Sequence, residues 1–290
     1  MKMGYYPGCS LHSTGIEYGL SLARVAEALG LELEEVRRWV CCGSSPAHQS
    51  DETLSIALPA LNLAILREEN QLDEVCVPCA SCFSRLKFAQ ARMEDEAVRK
   101  RIERILERPW PAGVRVLHAL EVVTQRIGRD AVRARVKRPL KGLKVACYYG
   151  CLMTRPPKVT GQADPENPLA MESVMETIGA EPADWNLKTA CCGASFALTD
   201  PAVVLELTRR ILEDAAAAGA EGVAVGCPLC HANLDTRQEG INERFGTSFR
   251  MPVFYFTELM GLAFGLDAAD LGLPRHLTDA EGFLRERGLL

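Results

Sequence analysis

The chain of 290 residues contains no apolar run close to the about 20 residues that a membrane-crossing helix needs. It carries no surplus of positive charge. Lys and Arg number 33 against 38 Asp and Glu, a net charge of −5, so neither nucleic acid nor an anionic membrane surface is an expected partner. The first residues lack a basic segment followed by an apolar stretch, so no secretory signal is expected and a cytoplasmic location follows as an expectation. No Gly-x-Gly-x-x-Gly follows a strand pattern, which argues against a dinucleotide site; neither flavin nor NAD is expected in this chain. A Cys-x-x-Cys-x-x-Cys-x-x-x-Cys-Pro run is also missing, so the chain lacks a ferredoxin-type relay and any electrons must come from a partner.

What is present is cysteine, twelve of them, in a pattern stated twice. Cys41-Cys42-Gly43 returns 150 residues later as Cys191-Cys192-Gly193. Upstream of each stands a lone cysteine after an aromatic and a glycine, Cys9 in Tyr6-Pro7-Gly8-Cys9 and Cys151 in Tyr149-Gly150-Cys151. Downstream of each stands a Cys-x-x-Cys pair, Cys79/Cys82 and Cys227/Cys230, after 35 and 33 intervening residues. Ten cysteines thus fall into two sets of five, and this duplication divides the chain into lobes at 1–140 and 141–290. Cys76 and Cys147 fall inside strand patterns and read as core thiols.

The periodicity predicts an α/β fold: two pseudo-twofold-related, Rossmann-like lobes, each a mostly parallel sheet of about four strands flanked by helices. In the first lobe strands are expected at 2–8, 36–40, 74–77 and 114–117, and each of the first three runs into a cysteine group. Helical spacing runs from Ile16 to Leu29, ended by Gly30, and a second helix from an N-cap at Asp51 to about Gln71, with Pro59 predicting a kink or a late start. The charged stretch between Arg92 and Arg108 reads as a solvated helix whose charges alternate without an apolar face. In the second lobe strands are expected at 143–149, 185–190, 222–226 and from Pro252. Residues 155–168, rich in Pro and polar side chains, read as a loop, either a substrate- or partner-contacting segment or a plain connection. Asp200-Pro201 is a helix start. The last 25 residues read as a helical tail without chemistry. Glu121 and Glu258 recur at equivalent places after the fourth strand of each lobe. In parallel sheets functional groups gather beyond the carboxyl ends of the strands, so cysteines 30 to 40 residues apart can meet at one sheet edge.

Thiolates bind soft metals, leaving zinc, copper(I) and iron–sulfur chemistry. Structural zinc sites use two Cys-x-x-Cys knuckles, whereas each lobe here has one pair, one adjacent pair and a single. Two adjacent cysteines do not easily chelate one tetrahedral ion but can bind different irons. A vicinal disulfide switch would leave three cysteines per lobe unexplained. Five thiolates suit either a four-iron cubane with a spare thiol or an opened cluster. Gly43 and Gly193 are expected where backbone crowds such a cluster.

Taken together, Tyr6-Pro7-Gly8-Cys9, both Cys-Cys-Gly repeats, Cys79-Ala80-Ser81-Cys82, Cys151 with Arg155-Pro156, and Cys227-Pro228-Leu229-Cys230-His231 resemble the Cys-Cys-Gly domain family over nearly the whole chain. Within it the chain most resembles the B subunit of heterodisulfide reductase. The resemblance implies two noncubane 4Fe-4S clusters, one held by Cys9, Cys41, Cys42, Cys79 and Cys82, the other by Cys151, Cys191, Cys192, Cys227 and Cys230. It implies a small disulfide substrate cleaved reductively, or formed, in a cavity between the lobes. It also implies electrons from an iron–sulfur C subunit, fed by a flavin-containing A subunit. His231 and His12, each near a ligand, are candidate proton donors to leaving thiolates, with His118 at the fourth strand's end behind them. Arg155 is a candidate for holding an anionic substrate tail or a neighbouring carboxylate. The competing reading is an electron-transfer or membrane-anchoring Cys-Cys-Gly subunit of a respiratory dehydrogenase, of succinate, glycolate, glycerol-3-phosphate or lactate type. The only anchor candidate, Arg99 to Arg108, makes that reading the weaker.

Overall fold

The computed structural model describes residues 1–44 and 47–290. Its first sheet contains β1 (Lys2–Tyr5), β2 (Glu32–Glu35), β3 (Glu74–Val77) and β4 (Arg115–His118) in the order β2-β1-β3-β4. The second contains β5 (Lys144–Tyr148), β6 (Glu181–Pro182), β7 (Gly222–Val225) and β8 (Val253–Tyr255) in the matching order β6-β5-β7-β8. Every pairing is parallel. The α/β two-lobe architecture expected from the repeat is therefore present. Strand β7, Gly-Val-Ala-Val, is buried throughout, as a central parallel strand covered by helices on both faces must be.

The second strand of each lobe lies earlier than expected. The apolar stretches 36–40 and 185–190 are not strands; the ladders end at Glu35 and Pro182. The reason is that β2 is an edge strand, Glu-Leu-Glu-Glu, whose charges are solvated and paired with Lys2 Nζ, 2.6 Å from Glu34. The apolar residues that follow do a different job. Tyr6 Oη donates to Val40 O at 2.7 Å and Tyr148 Oη donates to Ala190 O at 2.6 Å. A tyrosine at the carboxyl end of a central strand, just past β1 in the first lobe and last in β5 in the second, thus holds the residue immediately before each Cys-Cys-Gly.

Among the helices, Glu52–Glu68 begins on Asp51, whose carboxylate accepts from Leu54 N at 2.7 Å. Pro59 lies within it, so no late start occurs, and the helix ends before Gln71. The charged helix Glu96–Leu106 does segregate an apolar face, contrary to expectation. Val98, Ile102 and Leu106 fall at four-residue spacing and pack with Ile56, Ala57, Ala60, Ala89 and Met93. That face is used inside the first lobe. Asp200 caps the helix Pro201–Ala217 through Val203 N. The two recurring glutamates are caps as well: Glu121 accepts from His118 N and Glu258 from Tyr255 N, both at 2.8 Å.

One hydrophobic core runs through both lobes. Tyr18, on the helix Ile16–Ala28 of the first lobe, stacks on Tyr255 of the second with ring centres 4.3 Å apart, and Ser21 and Thr257 share a 2.6 Å hydroxyl hydrogen bond. Lys137 and Arg138 already donate to Ala263 O, and Leu140 to Ile178 O, so the crossing between lobes is tied to the second. Segment 155–168 contains a short helix, Pro157–Thr160, seated against the first-lobe helix Ala80–Arg92. The tail is not inert packing, since it delivers His276 to buried Glu258 at 2.9 Å.

Candidate metal centre

All ten repeated cysteines lie beyond the carboxyl ends of strands. Cys9 sits in the turn Gly8–Leu11 after β1, and Cys79 opens the helix Ala80–Arg92 after β3. Cys151 follows β5, and Cys227 opens the helix Pro228–Thr236 after β7. The tyrosine contacts described above bring each Cys-Cys-Gly alongside its lone cysteine. Gly8 and Gly150 make the close approach possible. They have φ of +63° and +64°, and a Cβ there would stand 2.9 Å from Cys82 Sγ and 3.0 Å from Cys230 Sγ. Gly43 and Gly193, expected to crowd the cluster, are set differently. Their φ values of +75° and +78° need glycine, but a Cβ would meet Leu58 and Ala47, or Leu207 and Val204, rather than sulfur. Their backbone N–H groups do face sulfur, donating to Cys41 Sγ at 3.4 Å and Cys191 Sγ at 3.3 Å.

Seven of the sulfurs form one line across the lobe boundary, from Cys41 to Cys192, and Cys151 and Cys191 form a separate pair. In the first lobe Cys41 hydrogen-bonds to Cys42, Cys42 lies 3.3 Å from Cys82, and Cys82 hydrogen-bonds to Cys79. In the second Cys151 hydrogen-bonds to Cys191, Cys192 lies 3.7 Å from Cys230, and Cys230 hydrogen-bonds to Cys227. Cys79 and Cys227 share a hydrogen bond across the lobe boundary. Cys9, Cys41 and Cys191 are exposed and Cys151 is half-buried, whereas Cys42, Cys79, Cys82, Cys192, Cys227 and Cys230 are buried. Hydrogen bonds from Cys41 and Cys82 pull Cys42 well down, those from Cys230 and Cys79 do the same for Cys227, and the bond from Cys151 takes Cys191 to about 6. Sharing their protons in this way pushes Cys82 and Cys230 up. Cys76 and Cys147 stand apart; burial raises both, as befits core thiols.

His118 ties the seam together. Its Nε2 faces Pro78 O at 2.8 Å and Gly226 O at 2.9 Å, the carbonyls just before Cys79 and Cys227, while Nδ1 accepts from Leu120 N at 3.1 Å. Two carbonyl acceptors require the proton on Nε2, so the ring is neutral, and burial pushes its pKa down to about 4. His231 is equally buried. Its Nε2 faces Val253 O at 3.0 Å, its ring stacks on Tyr255, and burial pushes its pKa down to about 3. This is the placement of a structural histidine, turned toward β8. His12 is exposed, 3.1 Å from Glu35 Oε1 and stacked on Trp39. Arg155 has found the neighbouring carboxylate: Nε donates to Glu166 Oε1 at 2.9 Å, and Nη1 and Nη2 donate to Thr189 O and Oγ1. Cys79 and Cys227 interact across the lobe boundary, where the resemblance implies a cavity. A cavity of about 340 Å³ lies elsewhere, lined by residues including Lys87, Gln90, Glu121 and Thr160.

His276 escaped the sequence reading because nothing in a polar tail points to Glu258, 18 residues upstream. Asn233 escaped it too. Its Nδ2 donates to Cys192 O at 3.0 Å and reaches Cys192 Sγ at 3.6 Å. Its only signal was its place three residues after Cys230.

The model of the cysteine-rich domain CCG matches the chain twice, over residues 3–87 and 145–235. The chain belongs to the Cys-Cys-Gly family. It is 31% identical over 282 residues to the 8-methylmenaquinol:fumarate reductase membrane anchor subunit of Wolinella succinogenes, covering 96% of this chain and 98% of that protein. It is 26% identical over 292 residues to the B subunit of a CoB-CoM heterodisulfide reductase of Methanosarcina acetivorans, covering 98% and 96%. A protein of Archaeoglobus profundus described as like the B subunit of heterodisulfide reductase is 26% identical over 276 residues, covering 92% of each chain. In fold the chain resembles a hypothetical protein from Helicobacter pylori, with a TM-score of 0.75 at 10% identity, over 96% of this chain and 52% of that one. That likeness supports the two-lobe fold alone. Among the described residues no helix is long and apolar enough to cross a membrane.

Among the described residues no three side chains are disposed to hold a single metal ion. The donor set nevertheless fits a Cys-Cys-Gly iron–sulfur group: five soft sulfur donors per lobe, glycines at 8 and 150 whose Cβ atoms would press on ligand sulfur, and backbone N–H groups aimed at Cys41 and Cys191.

Proposed function

We propose that this chain is the disulfide-handling iron–sulfur subunit of a heterodisulfide reductase-like complex. The observation that carries the reading is the line of sulfurs continuing from one five-cysteine set to the other through Cys79 and Cys227. Cys9, Cys41, Cys42, Cys79 and Cys82 hold one noncubane 4Fe-4S cluster, and Cys151, Cys191, Cys192, Cys227 and Cys230 hold the other. When bound, these groups supply two one-electron centres for one two-electron bond. The reaction balances as RS–SR′ + 2 e⁻ + 2 H⁺ → RSH + R′SH, and its reverse forms the disulfide. Electrons come from an iron–sulfur partner of the C-subunit kind, reduced by a flavin-containing partner of the A-subunit kind.

The protein's own residues set the stage for this. Tyr6 and Tyr148 fix the adjacent cysteine pairs, His118 joins the two Cys-x-x-Cys loops while remaining neutral, and Gly8 and Gly150 let backbone pass against sulfur. Of the three candidate catalytic residues, His12 is the one with an exposed ring edge beside a ligand loop; it takes the proton-donor role in this reading. His231 is assigned to packing and Arg155 to holding segment 155–168 through Glu166.

The 31% relative favours a second reading, that of a component of a quinol-linked fumarate reductase type complex. Affinity purification of the native complex separates the two. A flavin-containing partner and an iron–sulfur partner of the heterodisulfide reductase kind, with disulfide-dependent oxidation of reduced viologen, support the first. A succinate- or fumarate-reactive flavoprotein partner, with no disulfide activity, overturns it.

A further inference from the structure

The cavity of about 340 Å³ lies along the free edge of β4, which pairs only with β3. Lys87 and Gln90 wall it from the helix Ala80–Arg92, Glu121 and Gln125 from the helical stretch after β4, and Thr160 from the second lobe. Arg115 N donates to Asp73 O, so alternation along the parallel ladder turns the backbone N–H and C=O of Val116 out to that edge. Gln90 Nε2 meets the other outward carbonyl, Val114 O, at 2.7 Å. Among the described residues no cysteine lines the cavity.

The second lobe has the same positions and fills them itself. Counted from the last cysteine of each Cys-x-x-Cys pair, Lys87 corresponds to Asp235 and Gln90 to Gln238. Counted from the recurring glutamates, Val116 corresponds to Val253. Gln238 Nε2 donates to Met251 O at 2.7 Å, as Gln90 does to Val114 O. On that matching frame lies the chain's own tail. His276 Nε2 stands 2.9 Å from Glu258 Oε1, and Leu277 N and Thr278 N donate to Asp235 at 2.8 and 3.0 Å. The outward carbonyl of Val253 is met by His231 Nε2 at 3.0 Å.

In the first lobe none of these partners is present among the described residues. Phe83 stands at the His231 position, and no side chain donates to Val116 O. Glu121 Oε2 accepts from His118 N, but no ion pair or hydrogen bond reaches its other oxygen. Lys87 has no carboxylate partner, only the face of the Phe83 ring, 5.7 Å from its Nζ. Arg115, the other cation at the cavity, is taken by Glu74 at 2.9 Å. Lysine in place of Asp235 also reverses what the site accepts. The aspartate receives N–H groups, whereas the lysine calls for an acceptor, and a carboxylate makes the strongest one.

We propose that the cavity beside β4 is a binding site for a small molecule carrying both a basic group and a carboxylate, of the basic amino acid class. The basic group takes on Glu121 the place that His276 holds on Glu258, and the carboxylate rests on Lys87. The volume lies within the range of small-molecule sites. Because Thr160 and Gly161 also line the cavity, its occupancy ties segment 155–168 to the first lobe. The site is separate from the cysteine centre and independent of the iron–sulfur reading.

The test is isothermal titration calorimetry of the full chain with L-arginine, L-lysine and L-histidine in turn, on metal-free and on iron-loaded protein. At least one of the three is expected to bind at a single site per chain, with equal affinity in both forms. K87Q and E121Q are each expected to weaken that binding by about tenfold or more, as the loss of one charge-assisted contact does. E121Q keeps an acceptor for His118 N, so the turn after β4 is preserved. A second measurement needs no variant: amide hydrogen exchange of the wild-type chain is expected to slow at 114–117 and 157–161 when the amino acid is added. Failure of all three to bind at millimolar concentration overturns the proposal. So does binding that K87Q and E121Q leave unchanged, or protection that falls elsewhere in the chain.

Discussion

Replacing Gly150 by alanine tests whether the backbone at the second centre is shaped around sulfur. The substitution introduces two costs. One is conformational: Gly150 has φ +64°, where an L residue is disfavoured by about 1–2 kcal/mol. The other is local: the new Cβ would stand 3.0 Å from Cys230 Sγ, so that the sulfur must move by a few tenths of an ångström. Ligand positions tolerate only about 0.2 Å before metal geometry suffers. Gly161 provides the control. It has φ +79° and nothing within 4 Å of a Cβ, so Gly161→Ala carries the backbone cost without the sulfur contact. Gly161→Ala is expected to lose about 1–2 kcal/mol, a shift of roughly 2–4 °C or somewhat less in a chain of this size, and Gly150→Ala at least as much. Only Gly150→Ala is expected to lose iron and acid-labile sulfide, by about half of the wild-type content, since only one of the two five-cysteine sets is disturbed. The assays are thermal unfolding and metal analysis after anaerobic reconstitution. Equal iron content in the two variants would refute the claim that Gly150 is there to admit Cys230.

Other consequences follow from the same packing. Burial holds His118 at about 4 against 6.5 unfolded, so its contribution is complete above pH 6.5 and is lost as pH falls toward 4, because the unfolded chain takes up the proton first. The loss amounts to about 3 kcal/mol; urea unfolding of the metal-free protein should show a shallower acid slope for His118→Gln than for wild type, and an unchanged slope would contradict the assignment. Lys188→Met leaves Glu172 buried without its cation, now 2.9 Å away, and is expected to cost about 3–5 kcal/mol in the same assay, much of it recovered when Glu172 is also made apolar. Cys76→Ala and Cys147→Ala should keep full iron content at a modest cost in stability, whereas Cys79→Ala and Cys227→Ala should not; iron loss from the first pair would mean that the ligand set was misassigned.

The repeat was legible because duplicated chemistry leaves a mark that random sequence does not. Both sheets, the helix caps at Asp51 and Asp200, and the equivalence of Glu121 and Glu258 all follow from residue type and spacing. The second strand of each lobe was misplaced for one reason in both cases. β2 and β6 are edge strands with little apolar signal, while the apolar residues after them serve to carry Val40 and Ala190 to a tyrosine hydroxyl, a contact between residues 34 and 42 positions apart. The apolar face of Glu96–Leu106 was hidden by the many charges along the chain and emerges only when its partners on Glu52–Glu68 are in place. His231 looked catalytic because it neighbours Cys230, yet the helix turns its ring to Val253 O. His276 carries no mark in the sequence, and Asn233 only its place three residues after Cys230, because their meaning lies in what stands opposite them in space.

The central claim is that each five-cysteine set holds an iron–sulfur cluster and that the two serve disulfide chemistry. Iron and acid-labile sulfide per chain, measured on anaerobically purified protein and followed by EPR after oxidation in the presence of small thiols, test it most directly. The account predicts iron and sulfide sufficient for two four-iron clusters and a signal that depends on added thiol. Zinc alone, or no metal after careful reconstitution, would contradict it.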